Sequence, residues 1–422
     1  MKKYKDDILN FFLFSIMIFG IVMSRELNNL DEVWIFNMSR NIANGLLPYR
    51  DFNLIITPGL SILSGVILKL FGTEMLIMRI LAVIVDTVII FMIYKILKVI
   101  GINKYLCTAI VLLILNLFID SFCIDYNFII LMIALINLYF ELKYYNKTKD
   151  IFNYNIKIEL ILGILAGISI TIKQTTGICF AFIFIGYKLL AVRSKENFKK
   201  FIKIAITRIF AVIIPIIFLV LYLSYNGIMG DFIDYAILGI SDFSNSKPYI
   251  NLLRGDLWYL AILVPLIIIS SFIISMKKKN TILMILFAYS ISTIIVVYPI
   301  ADNIHFLISG TITIITGIYM LAKTYKDKIK ENIEKKDLIW IESFIKSIVI
   351  IISIIIMLLS IYTTIKYLTK CNSYKTFTNF KYIPVSENLQ ERIKKVGEYI
   401  EKQRKRCIYI RLKCSNIYDP IR

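Results

Sequence analysis

The sequence predicts an all-α polytopic membrane protein with about eleven transmembrane helices, and three observations carry that expectation. The composition is 58% hydrophobic with a mean hydropathy of +0.74, far outside the range of a soluble domain. Apolar runs of near-spanning length recur from one end of the 422 residues to the other. The charged residues collect between those runs and are shared unequally between alternate loops. A net charge of +20 in a soluble protein would suggest nucleic acid. In a polytopic chain, lysines on the cytoplasmic side explain it more simply, so no nucleic-acid partner is expected.

The apolar runs fall at 8–24, 57–71, 76–97, 105–119, 127–141, 158–172, 176–192, 208–226, 257–276, 281–300, 306–322 and 343–363. A span needs ~20 residues for ~30 Å of hydrocarbon. The run at 57–71 is the doubtful one, because it is short, opens at Pro58-Gly59 and carries Lys69. Charge argues that it lies flat. With the N-terminus inside and 57–71 flat, the inner segments hold 26 Lys and Arg and the outer ones 8, the segment after 363 left aside. If 57–71 crossed, the KKK at 277–279 and the lysine-rich loop 323–337 would both face out, against the positive-inside rule. The expectation is therefore a multi-pass cell-membrane protein with a cytoplasmic N-terminus. It has a transmembrane domain over 1–363, a first external loop at 25–76 with interfacial helices, and a small external tail at 364–422. The opening MKKYKDD leads into an apolar run with no small-residue cleavage site, so it reads as a retained anchor.

Within the first loop, residues 31–59 look built for chemistry. Asp31 and Glu32 follow the first span directly. Trp34, Ile35, Met38, Ile42 and Leu46 then recur at helical spacing, with Asn37, Arg40, Asn41 and Asn44 on the other face. Gly45 falls near the helix end, Pro48 leads into Tyr49-Arg50-Asp51-Phe52, and Pro58-Gly59 opens a second helix. The bland alternative is an amphipathic interfacial helix with solvated charges.

Further charged or polar residues fall on the same side as that loop. Asp120 and Asp125 stand in DSFCIDYN, Lys173 and Gln174 interrupt the apolar stretch from 158 to 192, and Asp302 and His305 stand in YPIADNIHF. Intramembrane charges are costly and read as functional by default. Carboxylates, a lysine, an arginine and the one histidine gathered on one surface are what a catalytic crevice needs. Snorkelling, helix-end charge and surface pairing are the bland readings for Lys173, Asp125 and Asp31 respectively. Asp86, seven residues after Arg79 on one helical face, reads as half of a structural ion pair or as a hydrogen-bonding group.

The first loop resembles that of the GT-C superfamily of membrane glycosyltransferases, in the branch of protein O-mannosyltransferases and lipid A aminoarabinose transferases. The matching residues are Asp31-Glu32, Gly45-Leu46-Leu47-Pro48-Tyr49-Arg50-Asp51-Phe52 and Pro58. The Lys173 break and the Tyr298-Pro299-x-x-Asp302-x-x-His305 segment resemble the same families. Ile300-Ala301 stands where those often carry a basic residue. The resemblance implies an inverting sugar transfer from a polyprenyl-phosphate donor to a glycan, lipid or protein acceptor at the outer face of the bilayer. By that resemblance Asp31 is the general base, with Glu32 and Asp125 as further acids. Arg50, Lys173 and His305 bind the donor phosphate, and Tyr49, Asp51 and Asp302 support them. A divalent metal is conceivable on two carboxylates, but no ligand spacing indicates one. The competing class is a lipid-linked saccharide flippase or other transporter, which usually shows internal repeats that are not visible here. A non-catalytic scaffold would not need polar residues on one face.

The six cysteines (107, 123, 179, 371, 407 and 414) form no CxxC or zinc pattern. The tail reads as a helix over SENLQERIKKVGEYIEKQRKR followed by a short strand, CIYIRL, hence a small α/β unit. Its ending, CIYIRLKCSNIYDPIR, carries three basic residues and two cysteines where the family often has an apolar strand and a small-residue aromatic stretch. A one-base shift of plausible codons gives Asn-Ala-Ala-Ile-Tyr-Met-Ile-Pro, so a frameshift that altered the last residues is an expectation here.

Overall fold

The computed structural model describes residues 5–27, 30–239, 249–297, 300–328, 335–370 and 378–415. The first four helices are α1 (Lys5–Ser24), α2 (Leu30–Ala43), α3 (Gly59–Phe71) and α4 (Met75–Val99). Next come α5 (Lys104–Leu117), α6 (Tyr126–Thr148), α7 (Ile156–Ile172), α8 (Gln174–Gly186) and α9 (Lys195–Tyr225). The remainder are α10 (Trp258–Lys277), α11 (Thr281–Ile294), α12 (Asn303–Lys328), α13 (Lys335–Lys370) and α14 (Glu387–Ser415). Among the described residues there is no β-strand; isolated bridge residues occur, including the pair Pro48 and Phe52.

Among the described residues, eight helices are long and apolar enough to cross a membrane. They are α1, α4, α6, α9, α10, the first 22 residues of α12, the stretch Lys346–Tyr367 of α13, and α8 with the 3-10 turn that extends it to Ala191. Expected spans at α5, α7 and α11 are helical but shorter, at 14, 17 and 14 residues. The doubtful run is α3, 13 residues long, or roughly 20 Å, well short of the hydrocarbon core. It packs against α2, with further contacts to α4 and α7.

The chain runs back and forth between two faces. At one face Asp7 of α1 meets Lys95 and Lys98 at the end of α4, and Asp6 meets Lys104 at the start of α5 at 2.8 Å. At the other, Arg25 after α1 donates to the carbonyls of Asp120 (2.9 Å) and Phe122 (2.6 Å) in the α5–α6 loop. Polar residues stop and start the helices where the backbone must turn. Asn103, Asn155, Ser194 and Asn280 each cap a helix through the side chain. At the face bearing α2, aspartates do the same work: Asp125 accepts from the Asn127 amide and Asp302 from the His305 amide (2.9 Å).

The tail corrects an expectation. CIYIRL is not a strand: Cys407–Leu412 continues α14 to Ser415. An isolated strand has no partner for its backbone groups, whereas a helix pairs them internally. The frameshift expectation falls largely on 416–422, outside the described residues.

Candidate active site

The two adjacent carboxylates of α2 serve different purposes. Glu32 is 1% exposed and turned into the bundle, where Arg79 of α4 donates to it at 3.0 Å and Arg25 lies 3.7 Å away. Arg79 also donates to the Arg25 carbonyl at 2.6 Å, so the start of α2 is tied to α4. Asp31 lies on the other side of the turn. Its carboxyl is pushed above the ordinary aspartate value by burial, with Asp302 adding to the rise and His305 and Lys173 opposing it. Those influences come from helix ends far apart in sequence, and they locate the cleft.

Three further segments complete it. Asp125 caps α6 and is 2% exposed. One of its oxygens accepts from the Asn127 side chain at 3.1 Å, while the other is buried with no hydrogen bond. Burial raises its carboxyl above the ordinary range, and the negative charge of Asp31 raises it further. Lys173 forms the break between α7 and α8, in extended backbone, and is 4% exposed. Its ammonium donates to Asn127 Oδ1 at 2.8 Å and lies 5.1 Å from the centre of the Tyr126 ring. Burial holds it below the usual lysine range, against the pull of Asp125, Asp302 and Asp31. At the start of α12, His305 Nδ1 is 2.8 Å from Asp302 Oδ1, and the imidazole is largely buried.

The break that carries Lys173 is built by close packing. A Cβ on Gly177 would sit 2.4 Å from the Ile170 amide nitrogen, and one on Gly59 would sit 2.4 Å from the Thr171 carbonyl. Glycine therefore lets α8 fold back on α7 and α3 begin against that corner. Gln174 fixes the first loop to the same corner. Its amide oxygen accepts from Thr57 N at 3.0 Å, and its Nε2 donates to the Ile55 carbonyl at 3.2 Å and also to Ala236.

The Pro48–Phe52 segment is a self-closed turn packed with Trp34 and Met38 of α2. Tyr49 has a left-handed φ of 69°, is 3% exposed, and donates its hydroxyl to Ile56 O at 2.7 Å. Its ring meets Phe232 edge-on at 5.5 Å. Asp51 accepts from the Leu47 amide at 2.7 Å, which holds its carboxyl below the usual range with help from Arg50. Arg50 lies 3.3 Å from Asp51 with its side chain 55% exposed.

The structure thus gathers Asp31, Asp125, Lys173, Asp302 and His305. Glu32 is instead paired with Arg79; Tyr49, Arg50 and Asp51 share the self-closed turn, and Tyr298 and Pro299 lie outside the described residues. Asp120 is exposed on the α5–α6 loop and contributes a carbonyl to Arg25. Arg79 pairs with Glu32 and not with Asp86, whose buried carboxylate has no hydrogen bond. Sequence reading passed over Asn127, the residue that links Asp125 to Lys173. The signal was there as Asp125-x-Asn127 at a helix start. Among the described residues, no group of three or more His, Cys, Asp or Glu side chains is arranged to hold a metal ion.

A family model described as dolichyl-phosphate-mannose-protein mannosyltransferase matches residues 57–219. The matched stretch includes Asp125, Asn127 and Lys173, while Asp31, Asp302 and His305 fall outside it. It supports a GT-C membrane glycosyltransferase, the class the first-loop residues resemble. No curated protein matches the chain. Among solved structures, the chain is similar to the Archaeoglobus fulgidus oligosaccharyltransferase, whose crystal structure is a complex with zinc and sulfate. The TM-score is 0.41 and the identity 13%, over 83% of this chain and 52% of the other. The chain spans about half the length of that oligosaccharyltransferase.

Proposed function

We propose that the protein is an inverting glycosyltransferase that moves a sugar from a polyprenyl-phosphate-linked donor to a hydroxyl acceptor at the outer face of the bilayer. The observation that carries this reading is the shared electrostatic environment of Asp31, Asp125, Lys173, Asp302 and His305, brought together from α2, α6, the α7–α8 break and α12. Asp31 takes the proton from the acceptor hydroxyl as its oxygen attacks the anomeric carbon. The bond from that carbon to the phosphate oxygen breaks, and polyprenyl phosphate leaves with the electron pair. Negative charge grows on the leaving phosphate, where Lys173 and His305 stabilise it in a site largely shielded from water. Asp302 orients the imidazole, and Asn127 holds the Lys173 ammonium. Arg50, half-exposed on its turn, meets the donor phosphate from the loop side. Asp125, raised by burial and by Asp31, is the further acid of the cleft.

The test is radiolabelled sugar transfer from polyprenyl-phosphate donors in membranes, with and without chelator. Asp31→Asn is expected to leave expression and donor binding intact and to lower turnover by about two to four orders of magnitude. Full activity in Asp31→Asn and Asp125→Asn alike would discard the enzyme in favour of a lipid-linked saccharide transporter.

A further inference from the structure

A groove of about 350 Å³ lies at the end of the bundle opposite the Asp31 cleft, between α1, α5 and α13. That volume falls within the ~300–1,000 Å³ of small-molecule sites. Its walls are apolar, formed chiefly by Leu9, Phe12 and Ile16 of α1 and by Ile350, Ile354 and Met357 of α13. Several are open to the surroundings: Leu9 is 66% exposed, Phe12 60% and Ile354 47%. One end of the groove is polar. Asp6, Lys104 and Tyr105 line it, and Lys346, beside them, places its ammonium 5.3 Å from the centre of the Tyr105 ring. The local charge is unbalanced. Two carboxylates, Asp6 and Asp7, take up Lys104, Lys95 and Lys98, and Lys346 adds a fourth cation against the ring.

We propose that this groove is a binding site for an anionic phospholipid of the surrounding bilayer. One acyl chain lies along the α1 and α13 walls, and the headgroup phosphate sits between Lys346 and Lys104. The charge argument selects the ligand, because an apolar slot alone would accept any lipid tail. Among the described residues, four ammonium groups over two carboxylates in and around the polar end favour a net negative headgroup over a zwitterionic one. Each lysine near a lipid surface contributes about fivefold to such binding. The site lies at the face reached by the α1 N-terminus, on the far side of the bundle from Asp31, so it stands independently of the proposed transferase chemistry.

Native mass spectrometry of the full chain, released from detergent supplemented with phosphatidylglycerol or phosphatidylcholine, tests it. The expected result is one retained phosphatidylglycerol, with phosphatidylcholine held about fivefold or more weakly. Lys346→Gln, at an exposed position, should weaken phosphatidylglycerol by about fivefold and leave phosphatidylcholine unchanged. Ile354→Trp, which fills the groove, should remove both. Equal retention of the two lipids by the unaltered protein, or phosphatidylglycerol retention unmoved by Lys346→Gln, would overturn the proposal. Thermal unfolding of each variant establishes that it is folded, and the Lys346→Gln result decides even if Ile354→Trp is not.

Discussion

Adjacent residues on an α-helix point about 100° apart, so Asp31 and Glu32 cannot both face one cleft. The arginines decide which faces where: Arg79 and Arg25 draw Glu32 inward, and Asp31 is left beside Lys173 and His305. Breaking a buried pair of this kind costs about 3–5 kcal/mol, so Glu32 contributes to holding α2 in place whatever its other role. The pH profile follows from the two shifted groups. Burial raises Asp31, and only the carboxylate form accepts a proton, so transfer should rise with pH through a value above the ordinary 3.8 of aspartate. Burial lowers Lys173, and only the ammonium form stabilises the phosphate, so the alkaline fall should come below the ordinary 10.5 of lysine. The rate against pH is then bell-shaped. Lys173→Arg should flatten the alkaline limb, because a guanidinium keeps its charge. Initial rates from about pH 4 to 11, which spans both limbs of a carboxylate–lysine pair, check it. An alkaline limb unmoved by Lys173→Arg would exclude Lys173 from it.

At the scale of elements, the face opposite the cleft holds a second buried charge cluster. Arg208 of α9 donates to Glu141 of α6 at 3.1 Å and to Glu159 of α7, and Lys188 after α8 lies 3.0 Å from Glu141. Tyr187 and Tyr289 add hydrogen bonds to Glu141 at 2.6 and 3.0 Å, so α11 is joined as well. This network ties together the helices whose other ends carry Asp125 and Lys173. Arg208→Leu should therefore cost about 3–5 kcal/mol, read as a lower midpoint of thermal unfolding in detergent. Combining it with Glu141→Gln and Glu159→Gln should recover part of the loss, since the stranded carboxylates are then neutral. A midpoint unchanged by Arg208→Leu would make the network ornamental. None of this was legible in the sequence. Lys188 and Arg208 read as inner-loop cations, because their partners are 47 and 49 or more residues away. The spans and the Lys173 break were legible, since apolar length and a lysine within an apolar stretch are local signals. The strand expected at Cys407–Leu412 failed because apolar residues in so short a run fit either period.

For the whole molecule, the tail bears on which face points out. The ring of Phe380, just before α14, meets Phe36 of α2 edge-on at 5.5 Å, so the start of the tail lies at the face of Asp31. The tail from 364 onward carries 14 Lys and Arg. If the Asp31 face is external, those cations are external too, against the direction of the loop count. The rule gives most weight to short loops and to residues near the spans, and a translocated segment of this size sits at its limit. Several loop cations also prove to be paired within the bundle, Arg25, Arg79, Lys188 and Arg208 among them, which removes charge from both sides of the count. The three cations of 95–104 are paired as well, but the excess at 142–157, 188–208 and 277–279 survives that removal, and it favours an external Asp31 face. Small tags inserted near residues 103, 150 and 278 should then be inaccessible to a membrane-impermeant label in intact cells. Tags near residues 240 and 415 should react. Labelling near 278 with none near 415 would invert the whole molecule, placing the cleft and the donor it takes on the cytoplasmic side. Labelling at neither would instead break the link between tail and cleft that the Phe36–Phe380 contact describes.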